Sequence, residues 1–161
     1  MVSQSYVQGQ ANGQPLVARE WLKTKSAGLL LLSGKQGEIG RALATGRIED
    51  AQAAASFWRE LFADRLYLAV SRCGHPEDEP HLKAAVAFAR MQKLPVVATN
   101  EVRFLRREDH EAHEARVCVI AGRTLVDARR HRETTPEQFP HTAEETGRPC
   151  PAPPETVAYT L

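Results

Sequence analysis

The sequence predicts an α/β fold with a mainly parallel sheet, and three observations predict it. Leu94 to Ala98 is a short apolar run with two β-branched residues that ends abruptly in polar Thr99 and Asn100, as a strand covered on both faces does. Two more compact apolar runs, Gly28 to Leu32 and Leu66 to Val70, precede it. Segments with apolar residues three and four apart separate the runs, giving the order strand, helix, helix, strand, helix, strand, helix and hence right-handed crossovers.

Taken in order, the first twenty residues are polar and glycine-containing up to Trp21-Leu22 and predict a short helix at most, followed by a loop. Gly28 to Leu32, bounded by Gly28 and Ser33-Gly34, predicts a buried strand ending in a tight turn. A helix follows over Gln36 to Ala44, with Gly46 suited to the left-handed position at its end. Ala51, Ala54, Ala55, Trp58, Leu61 and Phe62 mark an amphipathic helix over Ile48 to Phe62. Asp64 to Ser71 is the second strand. Cys73 to Pro80 reads as a loop whose acids precede the next helix and favour the positive end of its dipole. Leu82, Ala85, Val86, Phe88 and Ala89 stripe that helix to about Gln92. Pro95 fits the first position of the strand that follows, where its missing N–H costs no ladder bond. A further helix is expected from Arg107 to Ala121, with Ala112, Ala115, Val117, Val119 and Ile120 as its apolar contribution. The remainder is irregular, with one helical turn after Pro136. In such folds ligands meet the residues just past the carboxyl ends of the strands, here Thr99, Asn100, Glu101 and Arg103.

Composition narrows the function. The 161 residues are 42% hydrophobic, enough for one domain with a core. With 21 basic and 20 acidic residues the formal charge is +1, so no global field draws the chain onto nucleic acid. Cys73, Cys118 and Cys150 lie far apart, which argues against a zinc ribbon or a disulfide framework and for a reducing, cytoplasmic setting. The start has the marks of no signal peptide, and the longest apolar run, Leu29 to Leu32, cannot cross a bilayer.

Several apparent motifs lose their force on inspection. The histidines of His110-Glu-Ala-His113-Glu114 are three apart, whereas the metalloprotease helix needs four, so a solvated helix surface is expected. Gly34-Lys35 lacks the spacer and the hydroxyl residue of a phosphate loop. Arg129, Arg130 and Arg132 could meet phosphate, but so small a cluster reads as a solvated loop. No Gly-x-Ser-x-Gly elbow is present.

A set of segments in fixed order carries a resemblance. They include Arg19-Glu-Trp-Leu22, Gly28-Leu-Leu-Leu-Leu-Ser-Gly34, Gly37-Glu-Ile-Gly40, Asp64-Arg-Leu-Tyr-Leu68, Gly74-His-Pro76, Leu94-Pro-Val-Val-Ala-Thr-Asn100, Val102-Arg-Phe104 and Ala112-His-Glu-Ala-Arg-Val117. Over residues 2–145 the chain resembles the polymerase-and-histidinol-phosphatase (PHP) domain of bacterial DNA polymerase III alpha subunits, proteobacterial type. The resemblance implies a partial distorted (βα) barrel, with residues 1–145 as the carboxyl-terminal part of that domain. It implies that an amino-terminal part with a His-x-His pair, and a polymerase palm beyond Leu161, belong to the parent and not to this fragment.

The resemblance also singles out three positions. Metal-binding relatives have Ser-Gly-Cys where this chain has Ser33-Gly34-Lys35, and Asp-x-His where it has Glu101-Val102-Arg103. Lys35, Glu101 and Arg103 are therefore expected to be degenerate former ligand positions, with no metal, no other cofactor and no catalytic residue. Lys35 or Arg103 pairing with Glu101 is one expected use; plain solvent exposure is the other. The implied role is a non-catalytic scaffold docking the proofreading exonuclease subunit and other polymerase III holoenzyme subunits. Such a piece would meet DNA only through the full-length parent, away from any membrane. The alternative is a stand-alone metal-dependent phosphoesterase of the same superfamily, and a third reading is a truncated product without independent function. Residues 146–161 form an irregular proline-rich tail that departs from the family and is expected to pack poorly. A short frame disturbance correcting itself near Pro154 would account for it.

Overall fold

The computed structural model describes residues 1–127 and 134–142 and the backbone of 157–159. Helix α1, Val2–Gln8, leads into a hairpin of two short strands, β1 (Gln10–Ala11) and β2 (Gln14–Pro15), before helix α2, Arg19–Lys25. This start is more ordered than the predicted short helix and loop. The reason is the pair Asn12-Gly13, both at positive φ (52° and 75°), which turns the chain in the sense a two-residue hairpin requires.

Strand β3, Leu31–Ser33, is followed by α3 (Glu38–Ala44), α4 (Ile48–Phe62), β4 (Leu66–Val70), α5 (Asp78–Gln92), β5 (Val96–Ala98), α6 (His110–Ile120) and β6 (Val157–Tyr159). The strands form a parallel sheet in the order β3-β4-β5-β6, with Leu32 opposite Tyr67 and Ala69 opposite Val97. The α/β class and the parallel sheet are as the sequence predicts, as an open sheet and not a closed barrel. One face carries the core: Leu66, Leu68, Val70, Val96 and Ala98 pack against Ile39, Ala55, Phe62 and Phe88 from the three helices α3, α4 and α5.

Five expectations change. The run at Gly28 to Leu32 is not a buried strand: it becomes strand only from Leu31, and Leu30 and Leu32 are 64% and 45% exposed because β3 is the end strand of the sheet. Helix α5 begins inside the expected loop, since Pro80 falls in its first turn, where no intrahelical N–H is needed. Helix α6 does not bury its apolar residues: Val119 and Ile120 are 80% and 77% exposed, while Glu114 and Cys118 are buried. After Pro136 there is a turn, closed by the Gln138 N–H donating to the Thr135 carbonyl at 3.3 Å, and no helix. Strand β6 lies within the 146–161 segment read as irregular and pairs in parallel with β5. The cluster Arg129, Arg130 and Arg132 lies outside the described residues.

Candidate functional site

The carboxyl ends of β3, β4 and β5 meet at a cleft of about 800 Å³ whose lining includes Lys35, His75, Glu101, Arg103, His113 and Arg116. Its position follows from the topology of a parallel sheet, in which the chain leaves every strand at the same edge.

Lys35 follows the turn after β3. Gly40 of α3 fixes that turn, because a Cβ there would stand 2.3 Å from the Gly34 carbonyl oxygen and 2.7 Å from Lys35 Cα. The helix backbone thus lies directly on the turn and directs the lysine across the strand ends. Lys35 Nζ donates to Asp78 Oδ1 at 2.9 Å and lies 3.2 Å from Glu101 Oε1 and 3.8 Å from Glu77 Oε1. Its side chain is only 10% exposed and that of Asp78 3%. Burial works against the ammonium, but the hydrogen bonds to Asp78 and Glu101 outweigh it and hold the Lys35 pKa above its ordinary value.

Asp78, the first residue of α5, is the most heavily engaged group. Its Oδ2 accepts the N–H of Cys73 at 2.7 Å and of His75 at 3.0 Å, so one carboxylate ties the loop after β4, the start of α5 and the lysine from β3. Glu101 also accepts from the Ser71 hydroxyl at 3.3 Å, which links the ends of β4 and β5. Cys73 is fully buried with its thiol 3.0 Å from Asn100 Oδ1, and burial pushes its pKa up, so it remains a thiol. His81, one turn into α5, has Nε2 3.4 Å from the Ala69 carbonyl and no partner at Nδ1 among the described residues. Burial pulls its pKa down, which keeps the ring neutral.

A strap at residues 134–142 covers the far side. The Asn100 amide donates to the carbonyls of Glu137 and Phe139, the Thr135 hydroxyl donates to the Cys73 carbonyl, and Gln138, 1% exposed, accepts the Arg103 N–H at its own carbonyl. Phe104 packs edge-on to His110 and tilted to His113, with centroids 5.6 and 5.7 Å away. Glu114 is buried and accepts from the Thr134 hydroxyl. Within the His110 to Glu114 stretch, Glu111 and Ala112 are exposed as expected of it, while His110 and His113 are half-buried and Glu114 is buried against the strap.

The structure brings Lys35 and Glu101 together and leaves the third position apart: Arg103 is exposed at the cleft wall, with no hydrogen bond or ion pair for its guanidinium among the described residues. Asp78 was missed by sequence reasoning. The only signal for it was the acidic triplet Glu77-Asp78-Glu79 before Pro80, which reads equally well as helix-dipole complement. Among the described residues no three histidine, cysteine, aspartate or glutamate side chains stand together as a metal cage. The buried thiol faces an amide oxygen and His81 a carbonyl, whereas the Thr134 hydroxyl donates to the Glu114 carboxylate and lies 3.4 Å from His110 Nε2. What the arrangement does is hold three strand ends and one helix start in fixed relation. No helix among the described residues is long and apolar enough to cross a membrane.

Residues 1–73 match the family model of the PHP domain. The chain is 46% identical over 140 residues to the DNA polymerase III subunit alpha of Pseudomonas aeruginosa, which covers 86% of this chain and 12% of that protein. It is 40% identical over 162 aligned positions to the same subunit of Pseudomonas fluorescens and 39% to that of Escherichia coli K12, each covering 100% of this chain and 14% of the relative. The chain therefore spans only 12–14% of the length of these curated relatives.

Proposed function

The chain belongs to the family of bacterial DNA polymerase III alpha subunits, matching their PHP-domain region, and on that premise we propose that it is a non-catalytic scaffold piece of the replicative polymerase. It works in the cytoplasm as part of the polymerase III holoenzyme, docks the proofreading exonuclease subunit, and meets DNA through the full-length parent.

The observation that carries this reading is the seat of Lys35 Nζ between Asp78 and Glu101. A divalent ion does not fit this donor set. Its oxygens are already taken up by an ammonium, and a doubly charged ion about 3 Å from that ammonium meets a repulsion of order 10 kcal/mol at an effective dielectric constant of about 20. The lysine, held protonated by its partners, supplies the positive charge that keeps the carboxylates together. The strand ends are thus closed without a metal, and Lys35, Glu101 and Arg103 stand as degenerate ligand positions.

Calorimetric titration of the purified chain with manganese and with zinc tests the proposal, together with thermal melts and a phosphomonoester assay in the same buffers. No saturable binding, an unchanged midpoint and no metal-dependent turnover are expected. Binding with a stoichiometry near one, accompanied by turnover, would establish the phosphoesterase reading in its place.

A further inference from the structure

A second depression lies away from the strand ends, where α2, α3 and α4 meet. It has a volume of about 600 Å³, its floor is made of the small side chains Ala42 and Ala54 beside Phe57, and Arg19, Arg41 and Arg47 stand on its rim. Nothing in the strand-end cluster uses these residues. From them we infer a docking groove for an acidic polypeptide segment that carries one apolar anchor side chain.

Charge, shape and composition argue together. The rim holds three guanidiniums against two carboxylates, Glu38 and Asp50. Arg19 pairs with Glu38 while lying 4.8 Å above the Phe57 ring centroid and 5.6 Å from that of Trp58, so its planar fork is pre-set over the groove. Arg47 pairs with Asp50 at 3.1 Å, both more than half exposed. The Arg41 guanidinium has no hydrogen bond or ion pair among the described residues and acts on Glu38 only through space. Exposed pairs of this kind exchange partners at little cost. An entering carboxylate therefore finds one uncommitted guanidinium and two that can be shared, while the alanine floor leaves room for an aromatic or branched side chain against Phe57. Arginine beside aromatic residues around a small apolar pit is the composition of binding hot spots. A bare phosphate would use the rim and waste the pit. This rests on the scaffold reading only in expecting a protein partner.

Fluorescence anisotropy on the full chain tests it, with a labelled synthetic peptide in which one phenylalanine is flanked on both sides by glutamates. The expected result is saturable, salt-weakened binding that falls about tenfold in Arg41→Glu and in Ala53→Trp, which plugs the groove, while Arg41→Lys keeps most of it. Arg41 and Ala53 are exposed, so both variants should retain the wild-type melting profile, recorded alongside as a control. The inference is overturned if the peptide does not bind, if a lysine-flanked peptide binds equally well, if neither variant changes affinity, or if inorganic phosphate or an oligonucleotide competes as effectively as unlabelled peptide. Binding of the proofreading exonuclease subunit to the same variants separates the two readings. Retained exonuclease binding without peptide binding leaves the scaffold standing and the groove refuted; peptide binding without exonuclease binding does the reverse.

Discussion

The molecule carries two clusters of charge built from the same side-chain chemistry in opposite solvents. At the strand ends, Lys35 and Asp78 are 10% and 3% exposed; on the rim of the α2–α3–α4 groove, Arg47 and Asp50 are 62% and 61% exposed. The difference teaches that an ion pair acquires structural weight from what surrounds it. In the first cluster two backbone N–H groups, a serine hydroxyl and two carboxylates converge around a buried Asp78, so removing any member strands the others where water reaches only Glu101 from the cleft side. In the second, water replaces whatever is lost.

The largest expected effect breaks the buried side of this contrast. Lys35→Met should cost about 3–5 kcal/mol, measured by urea denaturation, because Asp78 and Glu101 then face each other without a cation. Adding Asp78→Asn and Glu101→Gln to Lys35→Met should restore much of that loss, since the pair's net worth is small and the cost lies in the unpaired charge. A triple variant as unstable as the single one would show that the lysine acts by packing and not by charge.

An intermediate effect comes from pH. His81 has its pKa lowered by burial, so the folded state takes up its proton later than the unfolded chain does as pH falls. Stability should decline as pH drops below about 6.5, the ordinary histidine value, towards the depressed one. His81→Gln should flatten that limb in melts recorded across the range. Lys35 has the opposite sense: its pKa is raised, so its contribution is complete below about 10.4 and disappears only as pH rises through the higher folded value. An acid limb unchanged by His81→Gln would assign it to carboxylates.

The smallest effect belongs to the exposed side. Arg47→Ala should change stability by no more than about 0.5 kcal/mol, and the difference should vanish near 1 M salt. A loss comparable to that of Lys35→Met would erase the distinction between the two clusters.

Much of the fold could be read from the sequence wherever one residue pattern meant one thing. The apolar spacing from Ile48 to Phe62 became a helix with those bounds, and the β-branched run at Val96 and Val97 became a fully buried strand. Reading failed where the buried face is polar or the partner is remote. Helix α6 turns Glu114 and Cys118 inward and Val119 outward, which inverts the rule that apolar residues mark the core side. Asn12-Gly13 carried a hairpin signal, but without alternating apolar flanks it passed as loop. At the site, Lys35 and Glu101 could be placed together because both follow strands of one parallel sheet. Asp78 could not, because it sits in an acidic triplet that reads equally well as a complement to the helix dipole, and only the folded crossover sets it against Lys35.

Gly40 has a consequence beyond its own helix. Since α3 touches the Gly34–Lys35 turn through bare backbone, a single methyl group at that point would lever the turn outward by an ångström or more and draw the ammonium from its carboxylates. A cluster of one ammonium and its carboxylates is thus governed by a residue with neither charge nor side chain, and the tolerance of the strand-end assembly is set by how closely two uncharged stretches of main chain can lie.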